Sequence, residues 1–150
     1  MRALFKDVFE VNQDDDFALH DSVLPETARA YANDVGDGPK EADLHIDMMG
    51  GSNSMWNKKV TEILLSKLKD CREEDQWQLP YRSDAYLEEL IKERLKRVMK
   101  VWAASQRRPK MLGGVESWDE VEQRLVAQKE AQLLVNRHAT RRRAVSRLFY

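Results

Sequence analysis

The sequence has little of what would cross-link the chain, interrupt its helices or carry it through a membrane. It contains a single cysteine, Cys71, which excludes an intramolecular disulfide and indicates a reducing compartment. Its six glycines and four prolines cluster in a few places, so long stretches are free to form helices. No window approaches the roughly 18 apolar residues of a transmembrane helix. An intracellular protein, in the nucleus or cytoplasm and without a membrane partner, is expected.

The motifs of common catalytic and cofactor sites are also missing. There is no Walker loop, no GxGxxG, no HExxH and no zinc-finger spacing. Asp43, His45 and Asp47 are spaced two residues apart, so they would lie on one face of a β-strand and could bind a divalent metal ion. No second group of ligands follows at a recognisable spacing. We therefore favour a polar strand edge or a linker for this stretch. His138 lies among arginines, which disfavour its protonated form, and Cys71 falls on an apolar stripe. We expect no enzymatic activity, no cofactor and no metal.

Charge is distributed unevenly along the chain, although the net charge is only −1. Residues 1–51 hold twelve acids and four bases, a net charge of −8. Residues 52–104 hold nine acids and eleven bases, and residues 105–150 hold five acids and ten bases, which gives +2 and +5. An acidic arm and a basic end on one chain suggest that the arm folds back and screens that end.

The acidic part of the sequence, residues 1–53, is predicted to be an arm and a linker. Bulky apolar residues are scattered among its acids, as in segments that fold on a partner. The favoured alternative is a partly disordered tail that packs loosely on the core. Glycines and a proline in residues 36–53 indicate the linker.

Residues 54–150 are predicted to form three long helices, which makes the fold all-α. Ser54 is a good N-cap for the first, over about 55–74, and Pro80 lies in the break before the second, over about 85–106. The second helix has an apolar seam with steps of four, four, three and four residues, close to a coiled-coil pattern: Leu87, Ile91, Leu95, Val98 and Trp102. We expect an elongated antiparallel three-helix bundle.

The third helix is predicted to begin at a capping box, Ser117 to Glu120, and to run without glycine or proline into an arginine cluster. Guanidinium groups bind phosphate bidentately and without sequence preference. The cluster has three interpretations, which are a solvated helix end favoured by the helix dipole, a contact for nucleic acid or another polyanion, and a nuclear localisation signal. Its residues are Arg137, Arg141, Arg142, Arg143 and Arg147.

The order of these features resembles a known group of proteins. The stretch from Leu79 to Trp102, followed by 120–125 and then by His138 to Arg143, is similar to helical proteins that are abundant in mushroom-type fungi, some of them linked to mobile elements. The similarity covers about the last 75 residues and rests on the helix pattern and the arginine-rich end. It implies an all-α fold and a chain that continues beyond Tyr150, and it assigns no activity or catalytic residue.

Two functional hypotheses follow. The first is a non-enzymatic helical interaction module whose arginine-rich helix end contacts nucleic acid or another polyanion. The second is a protein–protein scaffold that self-associates through the apolar seam of the second helix, as a homo-oligomer or with a helical protein partner.

Overall fold

The computed structural model describes residues 1–73 and 81–148, and within these ranges it contains α-helices, one 3₁₀ helix at Asp14–Leu19 and no β-strand. The all-α prediction is therefore confirmed for this part of the chain, whereas the antiparallel three-helix arrangement stays a prediction. Trp77 and the predicted break at Pro80 lie outside the described residues. The helices are α1 at Arg2–Phe9, α2 at Pro25–Ala32, α3 at Met55–Glu73, α4 at Asp84–Ser105 and α5 at Trp118–Leu148.

The chain forms two compact units, Met1–Ala103 and Ala104–Tyr150. The sequence pattern instead predicts a division after residue 53, where the acidic arm and the linker end. The difference has a physical reason, because the first 53 residues supply buried side chains to the same core as α3 and α4, among them Leu4, Phe5 and Phe17. A partly disordered arm is thus not confirmed.

The core of the first unit is built around the apolar stripe of α3. Trp56, Val60, Leu64 and Leu68 recur at steps of four residues, so that they lie on one face of the helix, and all are buried. Helices α1 and α2 pack against α3. Cys71, on the same face, is buried as well, which agrees with its interpretation as an apolar core thiol.

The seam predicted on α4 lies in this same core. Ile91, Leu95 and Val98 are fully buried, and Leu87 and Trp102 are partly buried against the cluster. These five side chains pack within their own chain, so they do not form an exposed seam in the monomer.

Hydrogen bonds from two tryptophan side chains join the irregular segments of the first unit to its helices. The Trp56 indole donates to the His45 carbonyl oxygen at 2.9 Å, and the Trp102 indole donates to the His20 carbonyl oxygen at 3.1 Å. Each bond satisfies the polar edge of a ring that is otherwise packed on apolar neighbours. Together they explain how an acidic stretch without long helices is held in one conformation.

None of the helices within residues 1–73 and 81–148 has an apolar stretch that would carry it through a bilayer.

Candidate polyanion-binding segment

The capping box predicted at the start of α5 is present. The Ser117 amide donates to Glu120 Oε2 at 2.7 Å, and the Glu120 amide donates to Ser117 Oγ at 3.2 Å. Lys110 contacts the other oxygen of the same carboxylate at 2.7 Å. These bonds lower the pKa of Glu120, most through Lys110, so the carboxylate stays charged at the positive end of the helix.

Arg124, one turn further along α5, forms hydrogen bonds that join the helix to the segments preceding it. Its guanidinium donates to the Ala104 carbonyl oxygen at 2.7 Å and to the Gln106 carbonyl oxygen at 3.1 Å. It also contacts both carboxylate oxygens of Glu116, at 2.9 and 3.0 Å. One side chain thereby joins the end of α4, the loop and α5, and the hydrogen bond from Arg124 lowers the pKa of Glu116. The sequence does not predict this role, because no spacing rule reveals it.

The loop between α4 and α5 contains a turn at residues 110–114 and is closed by backbone hydrogen bonds. Lys110 donates to Gly114 at 3.0 Å, and Glu116 donates to Arg108 at 2.9 Å. Gly113 and Gly114 have φ angles of 93° and 83°, a left-handed conformation that glycine adopts without steric cost. The loop therefore gives α5 a fixed starting point.

From the capping box, α5 runs for 31 residues, which corresponds to roughly 45 Å. The arginines of its distal part stand out from the helix. Arg137, Arg141, Arg142 and Arg143 are exposed, while the Arg147 side chain lies outside the described part of the structure. We call residues 137–143 the basic segment. The structure thus places four of the five predicted site residues on one exposed stretch of helix.

The arginines of the basic segment do not share one face. Successive residues of an α-helix are about 100° apart, so Arg137 and Arg141, four residues apart, lie on nearly the same side. Arg142 and Arg143 follow about 100° and about 200° further round the helix. The basic segment therefore presents guanidinium groups around most of the circumference of the helix.

No carboxylate of α5 lies close in sequence to neutralise this charge. Glu130 is the last acidic residue of the chain, seven residues before Arg137. Within residues 1–73 and 81–148, Arg137, Arg141 and Arg143 form no ion pair. Their guanidinium donors are consequently available to an external anion.

Polar side chains support the helix at the start of the basic segment. The Gln132 amide donates to Asn136 Oδ1 at 3.0 Å, one turn away. The Thr140 hydroxyl donates to the Asn136 carbonyl oxygen at 2.9 Å. These i,i+4 contacts favour the helical conformation where little apolar surface is buried, because the side chains of residues 126–138 are all exposed.

The metal ligands considered from the sequence are not brought together. His45 contacts the Asp43 carboxylate at 3.0 Å, but the buried Asp47 carboxylate accepts a hydrogen bond from the Gly50 amide at 2.8 Å instead. Among the described residues, no group of three histidine, cysteine or acidic side chains is arranged to hold a metal ion.

Comparison of the chain with models of protein families, with curated proteins and with solved structures finds no match. The resemblance to helical proteins of mushroom-type fungi accordingly stays a prediction.

Proposed function

We propose that the chain is a non-enzymatic interaction module whose basic segment contacts a nucleic acid. One observation carries the proposal, namely that Arg137, Arg141 and Arg143 are exposed on a helix and have no ion-pair partner among the described residues. Each guanidinium can bind a phosphate bidentately. Nucleic acids are abundant polyanions of the nucleus and the cytoplasm, where we expect the protein to act.

The distribution of arginines around the helix favours a groove over a flat surface as the binding partner. A helix lying on a flat anionic surface directs one side toward it, so it would use Arg137 and Arg141 and leave Arg143 pointing away. The major groove of B-DNA admits an α-helix and has a phosphate backbone along each side. Cations on several sides of one helix suit that environment, and the contacts would be to phosphates rather than to base edges.

Binding of a labelled DNA duplex, measured by fluorescence anisotropy at about 50 and about 200 mM salt, tests the proposal. We expect binding that weakens with salt and shows little sequence preference. Changing Arg141, Arg142 and Arg143 to alanine should reduce the affinity strongly. It should also lower the slope of log affinity against log salt by about 0.9 for each phosphate that the variant no longer neutralises.

A matched control removes the same charge elsewhere. Lys6, Lys58 and Lys100 are exposed on α1, α3 and α4, and their joint change to alanine also lowers the net charge by three. If this control weakens binding as much as the arginine variant, only overall charge matters and the assignment to the basic segment fails. Undetectable binding of the unchanged protein at low salt would also contradict the proposal.

The acidic arm is proposed to weaken polyanion binding by electrostatic screening. Deletion of residues 1–51 is unsuitable as a test because they supply core side chains such as Phe5 and Phe17. Neutralising the exposed residues Asp15, Asp34 and Glu41 to their amides removes three negative charges while leaving the core side chains in place. Affinity at low salt should rise, and unchanged affinity would remove the screening idea.

The alternative function, self-association through the α4 seam, has no observation in its favour. Ile91, Leu95 and Val98 are fully buried within the chain, so a second copy would have to displace their present neighbours. A concentration-independent monomer by light scattering is the expected result.

A further inference from the structure

A cavity in the first unit combines an apolar interior with cationic side chains. Its volume is about 270 Å³, just below the roughly 300 Å³ at which the range of typical ligand pockets begins, so it suits a small ligand. The apolar part of its lining comes from the end of α3 and the start of α4, in particular Leu68, Leu87 and Leu90. Three side chains of the lining are cationic, Lys69, Arg72 and Arg82; Met1 and Tyr86 complete the described lining, and none of its residues is acidic.

The three cations differ in how they are already partnered. Lys69 forms an ion pair with Asp84 at the N-terminus of α4. Arg72 and Arg82 have no carboxylate partner among the described residues, and both contact Tyr81 instead. The Arg72 guanidinium lies 5.7 Å from the centroid of the Tyr81 ring, and Arg82 Nη1 donates to the Tyr81 carbonyl oxygen at 3.2 Å. Two arginines that have no carboxylate partner within residues 1–73 and 81–148 therefore border an apolar cavity.

We infer that this cavity binds a small amphipathic carboxylate, with its hydrocarbon part among the leucines and its carboxylate at the two arginines. An apolar chain that covers the leucine side chains removes their surface from water, which favours binding. A carboxylate is an anion whose two oxygens match the paired donors of a guanidinium group. An uncharged apolar ligand would leave the arginine donors unused, and a small anion such as acetate would leave the apolar lining uncovered. The ligand class thus follows from the two kinds of lining residue together.

Octanoate is a suitable probe, compared with 1-octanol, which lacks the charge, and with acetate, which lacks the chain. Titration followed by changes in the leucine methyl resonances of the full chain reports binding even when it is weak. We expect octanoate to bind at least tenfold more tightly than either comparison compound. Shifts should concentrate on Leu68, Leu87 and Leu90.

Two pairs of substitutions assign the charge requirement. Arg72→Gln with Arg82→Gln should lower the octanoate affinity at least tenfold, toward that of 1-octanol. Lys58→Gln with Lys100→Gln removes the same charge from exposed positions and should leave the affinity unchanged. All of these side chains lie at least partly in solvent, so the variants are expected to fold. Equal effects of the two pairs, or equal binding of octanoate and 1-octanol, would overturn the inference.

The segment between α3 and α4, residues 74–80, lies outside the described residues and contains Trp77. A Trp77→Ala chain is therefore titrated in parallel. Octanoate binding by the unchanged chain supports the inference. Binding that appears only in the Trp77→Ala chain would overturn it, because the occupant would then be a segment of the chain itself. Absence of binding in both chains would overturn it as well.

Discussion

Arg94, in the middle of α4, is buried, and its Nη2 lies 2.5 Å from the carboxylate of Asp14 in the 3₁₀ helix. The Arg94 side chain is 6% exposed and that of Asp14 is 30% exposed. The guanidinium also lies 4.9 Å from the centroid of the Phe5 ring on α1. Burial lowers the pKa of Arg94, whereas Asp14 opposes that change by favouring the charged form. This ion pair, together with a longer one between Arg97 Nε and Asp14 Oδ2 at 3.6 Å, joins the acidic N-terminal segment to the core helix.

Loss of Asp14 is expected to destabilise the protein by leaving a buried guanidinium unpaired. Asp14→Asn should lower the free energy of unfolding by about 2–4 kcal/mol, because removing one partner of a buried pair costs more than the pair contributes. Urea denaturation followed by circular dichroism measures this change. The double variant with Arg94→Met should be less destabilised than the sum of the two single variants.

The exposed pair of Glu93 and Lys96, at 2.7 Å on the same helix, is the control for that experiment. Solvent screening makes such pairs weak, so Glu93→Gln should change stability little. An Asp14→Asn variant as stable as the Glu93→Gln variant would show that the Arg94 pair does not anchor the N-terminal segment.

Position 50 requires a glycine because its backbone lies close to the Asp47 side chain, and not because of its φ angle. A Cβ atom at Gly50 would lie 1.8 Å from Asp47 Oδ2 and 2.6 Å from Asp47 Cγ. Because Asp47 is buried and accepts the Gly50 amide at 2.8 Å, it cannot move without breaking that bond. Gly50→Ala should lower the free energy of unfolding by about 2 kcal/mol or more.

Substitution of the neighbouring glycine, Gly51, distinguishes the cost of this steric clash from the cost of backbone strain. Gly51 has a φ angle of 81°, and a Cβ atom added there would meet no other atom within 4 Å. Gly51→Ala should therefore cost only about 1 kcal/mol, from its left-handed conformation. Thermal unfolding of both variants compares the two costs. A smaller effect at Gly50 than at Gly51 would contradict the role assigned to Asp47.

His20 should make the stability of the fold dependent on pH below about 6.5. Burial, with a smaller contribution from the charge of His45, lowers the pKa of His20 to about 4. Its ring packs against those of Phe9 and Phe17, and its Nε2 accepts a hydrogen bond from the Ile46 amide at 3.4 Å. The fold therefore favours the neutral imidazole over the imidazolium.

The sign of the effect follows from the depressed pKa of His20. The stabilisation is fully present above the ordinary pKa of about 6.5, and it is lost as the pH falls toward 4, by up to roughly 3 kcal/mol. Carboxylates also titrate near the lower end of this range, so the unfolding midpoint is compared with that of His20→Gln across the range. The difference should shrink as the pH falls, whereas His138→Gln on the exposed part of α5 should leave the pH profile unchanged.

Periodicity predicted the long helices because each buries an apolar stripe or begins at a recognisable cap. Trp56, Val60, Leu64 and Leu68 recur at helical spacing, and the Ser117 capping box is readable from two residues. The predicted start of the first long helix, at about residue 55, coincides with the start of α3, and the predicted limits of about 85–106 differ by one residue from those of α4; residue 74, the predicted end of the first helix, lies outside the described residues. Local patterns thus specify the local structure of these helices.

The N-terminal segment could not be predicted in the same way, because long-range contacts order it. Phe17 stands among acids with no apolar periodicity around it, yet it is fully buried against Phe5 and Phe9. The ion-pair partners of Asp14 are Arg94 and Arg97, on a helix far along the chain. The same limit applies to Arg124, because two of its partners are backbone carbonyl oxygens, which no side-chain motif predicts.

Arg124 should resist conservative replacement because its role depends on the shape of the guanidinium. It donates to two carbonyl oxygens, of Ala104 and Gln106, and to both oxygens of Glu116. A lysine has one ammonium group and cannot make all of these hydrogen bonds at once. Arg124→Lys should therefore increase hydrogen exchange of the amides that begin α5 and lower the unfolding midpoint. Arg141→Lys keeps the charge on an exposed part of the same helix and should change neither quantity. Equal exchange rates in the two variants would show that the start of α5 is held by its capping box without Arg124.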